Sequence, residues 1–199
     1  MVIMPKIVDH SERRKVFAQA AKEAIASKGI EPVRLVDVAR AAGVTTGSLS
    51  HYFSDRDDLI DAALEELVIE LEAKNRVEAM EGSLLDACMT IMPVNEEGVA
   101  AARVWLAFIN RGLVNADVAK KMAVFFKINS ARLSTYLIEY EGKAPRDAEN
   151  LAETIGTFVD GLMVRATLDP EGWPAERQRA QVEAVLLELV GPGALIPQA

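Results

Sequence analysis

Cysteine, histidine and aromatic side chains are all scarce in this 199-residue chain. A single cysteine, Cys88, rules out an intramolecular disulfide, and with only His10 and His51 beside it no zinc-ligand set can be assembled. No apolar run approaches the roughly 20 residues that a membrane span requires. The opening Met1-Val2-Ile3-Met4 is too short for a secretion signal. These absences predict a cytoplasmic protein with no membrane partner, held together by packing alone. Catalytic arrangements are missing as well. Neither histidine has a glutamate three residues before it, the pairing that helical di-metal carboxylate sites use. No Ser-His-Asp or Cys-His spacing stands out, and no glycine-rich phosphate loop follows a strand. The reading is of a non-enzyme with neither metal nor cofactor.

What the chain does have is helix-forming, apolar sequence. Half of the residues are hydrophobic, which excludes disorder. Ala, Leu, Glu, Lys and Arg are abundant and no stretch alternates strictly, so the expected fold is all-α with about nine helices. The net charge of −8 argues against nucleic acid when taken as an average. That average conceals a change of sign. Residues 1–54 carry eight Lys/Arg and five acidic residues, a net of +3, while the remainder holds 14 basic and 25 acidic residues, a net of −11. A basic head on an acidic body implies two tasks in one chain. The expected division is a three-helix domain over 1–57 and a helical body over 58–199.

In the head, a first helix begins after Asp9, with Glu12 completing a capping box, and ends near Gly29. Its apolar stripe is Phe17, Ala20, Ala21, Ala24 and Ile25. A second, short helix runs from Leu35 to Ala42 with Leu35, Val38, Ala39 and Ala42 on one face. Gly43 ends it, and a third helix runs from Thr45 to about Phe53. Ser54-Asp55-Arg56-Asp57 then opens a long helix whose core face includes Leu59, Ala63, Leu67 and Leu71. Within Leu35 to Tyr52 the small Ala39, then Gly43, then Leu49 fall where two helices cross steeply over a tight turn. Alanine permits close approach, glycine a left-handed backbone, and leucine fills the angle. That spacing is helix-turn-helix geometry, whose second helix enters the major groove of DNA. Thr45 is placed to cap this helix and meet a phosphate. Thr46, Gly47, Ser48, Ser50 and His51 are small or polar, so the helix can lie near base edges. Tyr52 offers a hydroxyl to the DNA backbone while its ring packs inward, and Arg56 stands ready for a phosphate.

The run Val44-Thr45-Thr46-Gly47-Ser48-Leu49-Ser50-His51-Tyr52-Phe53, followed by Asp55-Arg56-Asp57-Asp58-Leu59, closely resembles the signature of the tetracycline-repressor (TetR) family. Val38-Ala39-Arg40-Ala41-Ala42-Gly43 fits too. Within the family the chain is most similar to BetI-type regulators, through a Thr-Gly followed two residues later by Ser-His-Tyr-Phe. Trp105-Leu106-Ala107-Phe108 and Asp160-Gly161-Leu162 extend the likeness into the body. The resemblance implies a homodimeric, all-helical repressor that binds a palindromic double-stranded operator and releases it on binding a small molecule. Many members cap the second helix with Ser or Thr. This chain has Arg34 there, which would replace a hydroxyl-phosphate contact by a charged one and leaves the cap unassigned.

In the body, breaks at Glu81-Gly82-Ser83, Met92-Pro93-Val94, Gly112 to Asn115, Glu141-Gly142-Lys143, Asp169 to Pro174 and Gly191-Pro192-Gly193 delimit about five more helices. Two near the end carry broad apolar stripes. One has Ala148, Leu151, Ala152, Ile155, Val159, Leu162, Met163 and Ala166, with Gly156 and Gly161 permitting close approach; the other has Val182, Val185, Leu186, Leu189 and Val190. Periodicity does not say whether they face the chain's own core or a second copy, and the resemblance favours the dimer. It also implies a pocket formed by Trp105, Phe108, Phe126, Asn129 and Phe158. BetI responds to choline, and an aromatic cage is the usual holder of a quaternary ammonium. Ile109 and Met163 stand where BetI-like segments carry tryptophan, so the cage is thinner, and a choline-like amine is one candidate effector. Core packing is the default role of each aromatic and of Met89, Met92 and Met163. The alternative reading is a DNA-binding protein of this fold that takes no ligand and acts through a protein partner. A closed, solid core would favour it.

Overall fold

The computed structural model describes residues 10–197, and for 75–81 the backbone only. Among the described residues there are nine α-helices and no strand: α1 (His10–Lys28), α2 (Leu35–Ala41), α3 (Thr46–Ser50), α4 (Arg56–Glu81), α5 (Leu84–Met89), α6 (Glu96–Gly112), α7 (Ala116–Glu139), α8 (Pro145–Leu168) and α9 (Ala175–Leu189). A single 3₁₀ turn, Pro192–Leu195, follows. The expected cap Asp9 lies outside the described residues. None of the helices is long and apolar enough to cross a membrane, among the described residues. The chain divides into two compact units between Leu67 and Val68, later than the 57/58 division expected from sequence. The first turns of α4 belong with α1, because Asp58 and Glu66 are held by Arg14 and Lys15.

The first unit is built around Phe17, Ile25, Val38, Leu49, Phe53, Leu59 and Ile60, all buried. Each such side chain contributes on the order of 1.5–3 kcal/mol by leaving water. The link from α2 to α3 turns on Gly43, whose φ of +68° lies in the left-handed region that a side chain disfavours. A β-carbon there would meet nothing within 4 Å, so backbone conformation alone selects glycine. Thr45 then caps α3, its Oγ1 accepting from the Ser48 N–H at 3.1 Å. The helix is shorter than expected. It stops at Ser50, because the Tyr52 and Phe53 amides both close onto the Leu49 carbonyl and tighten the last turn.

Three interactions of one residue fix the chain as it leaves α3. Arg14 donates to the Tyr52 carbonyl at 2.5 Å and to Asp58 Oδ1 at 2.5 Å, and its guanidinium lies 4.3 Å from the Phe53 ring centroid. The Phe17 ring meets Tyr52 and Phe53 edge-on, at 5.2 and 6.3 Å between centroids. Thus α1 grips the exit of α3 and the entry of α4 at once.

In the second unit the expected stripe of α8 buries Ala148, Ala152, Ile155, Val159, Leu162, Met163 and Ala166, and α7 is its main neighbour. The buried Gln178 of α9 donates to the carbonyls of Trp173 at 2.8 Å and Pro93 at 3.3 Å, joining α9 to the loop before α6. The breaks fall where proline and glycine place them.

Arg14→Met should loosen the exit of α3. The hydrogen bond to Arg14, the largest influence on Asp58, holds its carboxyl below the usual range. Because the folded value is lowered, this support is complete above about pH 4 and lost as pH falls through the folded value. The pair is about one-third exposed, which trims its strength. We expect amide exchange across residues 46–53 to quicken about 5–30-fold at neutral pH, a loss of about 1–2 kcal/mol, with the difference narrowing below pH 4. Exchange mass spectrometry checks it.

Candidate functional site

The outer face of α3 is polar and exposed. Thr45, Thr46, Gly47, Ser48, Ser50 and His51 all face solvent, while Leu49 anchors the opposite side with 0% exposure. Not all of these polar groups are available to a ligand. The Ser48 hydroxyl pairs with Thr45 Oγ1 at 3.1 Å, and the Ser50 hydroxyl donates to the Thr46 carbonyl at 3.0 Å. Thr46 and His51 make no side-chain hydrogen bond among the described residues. They flank Gly47, where a β-carbon would meet only Thr45 Oγ1, at 3.8 Å. A small residue between two uncommitted polar ones is what close approach to base edges requires.

Around this face, Arg34 is exposed and its backbone N–H donates to the Asp37 carboxylate at 3.1 Å. The α2 cap left open by the absent Ser or Thr is thus supplied from inside the helix, and the Arg34 guanidinium is left to solvent. The Tyr52 ring does pack inward. It is half-buried and stacks 4.5 Å from the His10 ring. Arg56 departs from expectation. Its Nε donates to the Val33 carbonyl at 2.7 Å and its Nη2 to the Ile30 and Glu31 carbonyls at 2.6 and 3.1 Å. Nη1 sits 3.5 Å from Asp57. The guanidinium fork is filled by the loop between α1 and α2, so Arg56 positions that loop instead of waiting for a phosphate.

The second unit contains a cavity of about 490 Å³ walled by α5, α7 and α8, within the range of small-molecule sites. Its lining is mostly apolar, with Leu84, Ile91, Phe125, Phe126, Tyr136 and Ile155 contributing. A smaller space of about 40 Å³ adjoins it beside Trp105, and Ile91, Phe125 and Asp160 line both. The charged groups differ in their commitments. Arg132 pairs with Glu72 at 3.7 Å, and Glu153 accepts from the Ser130 hydroxyl at 2.7 Å. Asp160 has no donor among the described residues, and burial pushes its carboxyl up to about 6. Burial also pushes the Cys88 thiol up to about 12, which leaves it an inert part of the wall.

Comparison with known proteins joins the two halves. Residues 18–63 match the model of bacterial regulatory proteins of the tetR family, and residues 81–191 match that of the BetI-type transcriptional repressor C-terminal domain. The chain belongs to the TetR family of transcriptional regulators. It is 31% identical over 179 residues to the HTH-type transcriptional regulator PksA of Bacillus subtilis, covering 84% of each chain. It is also 31% identical over 186 residues to the regulator BetI of Escherichia coli K12, covering 89% of this chain and 92% of that one. A transcriptional regulator from Rhodococcus sp. Rha1 superimposes with a TM-score of 0.81 at 26% identity, over 92% of this chain and 99% of that one. A putative regulator from Saccharomonospora viridis, solved in complex with choline, shares the fold with a TM-score of 0.79 at 18% identity, over 89% and 96% of the two chains. This TetR-family member is thus a DNA-binding regulator, and the families it matches are regulators, not enzymes.

Of the five pocket residues expected from the resemblance, Phe126 and Asn129 lie on the wall of the large cavity and Trp105 on that of the small one. The Asn129 amide already donates to the Phe125 carbonyl at 3.1 Å. Phe108 is corrected to core, with 0% exposure and no part in either wall. Phe158 is also off the wall, because α8 presents Ile155, Gly156, Val159 and Asp160 to the cavity. Sequence reasoning passed over Tyr136 and Asp160 as lining residues. Asp160 had a signal, since it shares a helical face with Gly156 and Met163 at the i−4 and i+3 positions.

A raised carboxylate is a stability liability whose sign can be tested. The folded value near 6 exceeds the ordinary value of about 3.9, so the folded regulator is penalised above pH 6 and the penalty vanishes as pH falls below about 4. Asp160→Asn should therefore stabilise the ligand-free regulator by about 3 kcal/mol at pH 7.5. The gain should shrink between pH 6 and 4. Thermal unfolding of both proteins across that range measures it.

Proposed function

We propose that this regulator is a homodimeric repressor, that two copies of α3 read the two halves of a palindromic operator, and that a small molecule in the α5–α7–α8 cavity releases it. The observation that carries the DNA half is the uncommitted polar face of α3, with Thr46 and His51 on either side of Gly47 and Leu49 locked beneath. Arg34 and the net positive charge of residues 1–54 supply the phosphate attraction that positions such a helix. A two-fold dimer matches a two-fold operator, with half-sites about one helical turn, roughly 34–36 Å, or a multiple apart.

The cavity supports the ligand half and weighs against action through a protein partner alone, which would suit a solid body. Its aromatic walls and the Asp160 carboxylate favour a small organic cation, in keeping with the choline complex of the Saccharomonospora viridis regulator. Release follows if the ligand binds one conformation better than another and the favoured one holds the α3 pair at the wrong separation.

DNA selected from a random pool, titrated with the regulator at several salt concentrations, tests this reading. Arg34→Ala should weaken binding to all sequences alike and lower the salt slope by about 1. Thr46→Ala and His51→Ala should change base preference, with about 1–3 kcal/mol lost at the contacted position. Unchanged affinity and preference in all three variants would remove α3 as the reading element.

A further inference from the structure

We propose that the effector is an amphipathic ammonium bearing at least one N–H, with that N–H donated to the Asp160 carboxylate and a hydrocarbon body lying in the large cavity. The inference rests on the reading of this cavity as the effector site and narrows the chemistry of its occupant.

Asp160 lines both the large and the small space, as Phe125 does, and Trp105, whose ring lies 4.8 Å from that of Phe125, lines the small one. Among the described residues, every other charge lining these spaces is engaged. On α7, Arg132 is paired with Glu72; on α8, Glu153 holds the Ser130 hydroxyl; on α4, Lys74 is paired with Glu97. Tyr136 on α7 and Cys88 on α5 are the remaining titratable groups, and the buried thiol stays protonated. An anionic occupant would meet Asp160 as a like charge. An apolar neutral one would seal the carboxylate from water with no donor, the costliest state for a polar group, and a neutral hydroxyl would donate a hydrogen bond without offsetting the charge. A quaternary ammonium satisfies the charge but cannot donate a hydrogen bond. A protonated primary or secondary amine supplies both, and charge-assisted bonds of this kind are about twice as strong as neutral ones. Trp105 and Phe125, which share these walls, are the residue types that attract a cation through their ring faces, and the apolar remainder of the wall accepts its chain. The amine arrives protonated, and any Asp160 that is protonated beforehand gives up its proton on binding.

The test uses the full-length regulator and four probes with the same six-carbon chain: hexylamine, hexanol, hexyltrimethylammonium and hexanoate. Their affinities are measured by calorimetry for the wild type, Asp160→Asn and Gly156→Trp. We expect hexylamine to bind about tenfold or more tightly than hexanol or hexyltrimethylammonium, and hexanoate most weakly. Asp160→Asn, which should fold at least as stably as the parent, should reduce the hexylamine preference to near nothing. Hexylamine affinity should fall below about pH 6, by up to roughly tenfold per pH unit, and hexanol affinity should not follow it. Equal affinities of hexylamine and hexanol, or a hexylamine affinity unchanged in Asp160→Asn, would overturn the assignment. Gly156→Trp projects an indole from the wall into the cavity and separates the two readings. Hexanol binding weakened by it keeps the cavity as a ligand site even when the amine preference fails. Hexanol affinity unchanged by it tells against the cavity itself, and the amine assignment falls too.

Discussion

A helix of five residues has barely more than one turn, and isolated helices shorter than about 12–15 residues are marginal in water. The proposed reading element of this regulator, α3, is such a helix, so its geometry has to be imposed from outside. Leu49 pins it from below, the left-handed turn at Gly43 sets its approach from α2, and Thr45 closes its first turn. Arg14 holds the chain that leaves it, through the Tyr52 carbonyl, Asp58 and the Phe53 ring. The outer face is then left free of structural duties at Thr46 and His51. A longer helix would stabilise itself and present more side chains. A short one depends on its clamp and presents few, which suits contact with a groove where small residues permit close approach.

The body shows the complementary case, a residue whose isolation is unfavourable for the fold. Asp160 sits in an apolar wall with no donor among the described residues, and burial lifts its carboxyl to about 6. Core positions that serve packing alone do not carry such a group, and strongly perturbed titratable residues in a cavity concentrate at functional sites. The same desolvation that makes the empty site uncomfortable would strengthen a hydrogen bond to an arriving cation. On the proposed reading, stability of the ligand-free state is traded for discrimination among ligands.

Much of this arrangement was legible in the residue order. Pro93, Pro145, Pro174 and the glycines at 43, 112 and 142 punctuate the chain where its helices end or begin, because backbone preference at those residues is local. The helix-turn-helix spacing of Ala39, Gly43 and Leu49 is local too. What could not be read depends on partners distant in sequence. Arg56 looked like a phosphate ligand, yet its guanidinium is filled by carbonyls of residues 30, 31 and 33. Phe108 and Phe126 both lie in apolar helical stripes, but one is fully buried and the other is 40% exposed at a cavity wall. Periodicity assigns a face to each and cannot tell a packed neighbour from a void. The same limit hid Asp160, whose meaning comes from the cavity it borders.

The central claim is that α3 and its capped N-terminus are the surface that meets DNA. Hydrogen exchange of the full-length regulator, with and without a DNA duplex selected for binding, tests that claim directly. Amides across residues 44–52 should slow on DNA binding more than those of α5 to α9. Protection confined to other segments, with 44–52 unchanged, would contradict it.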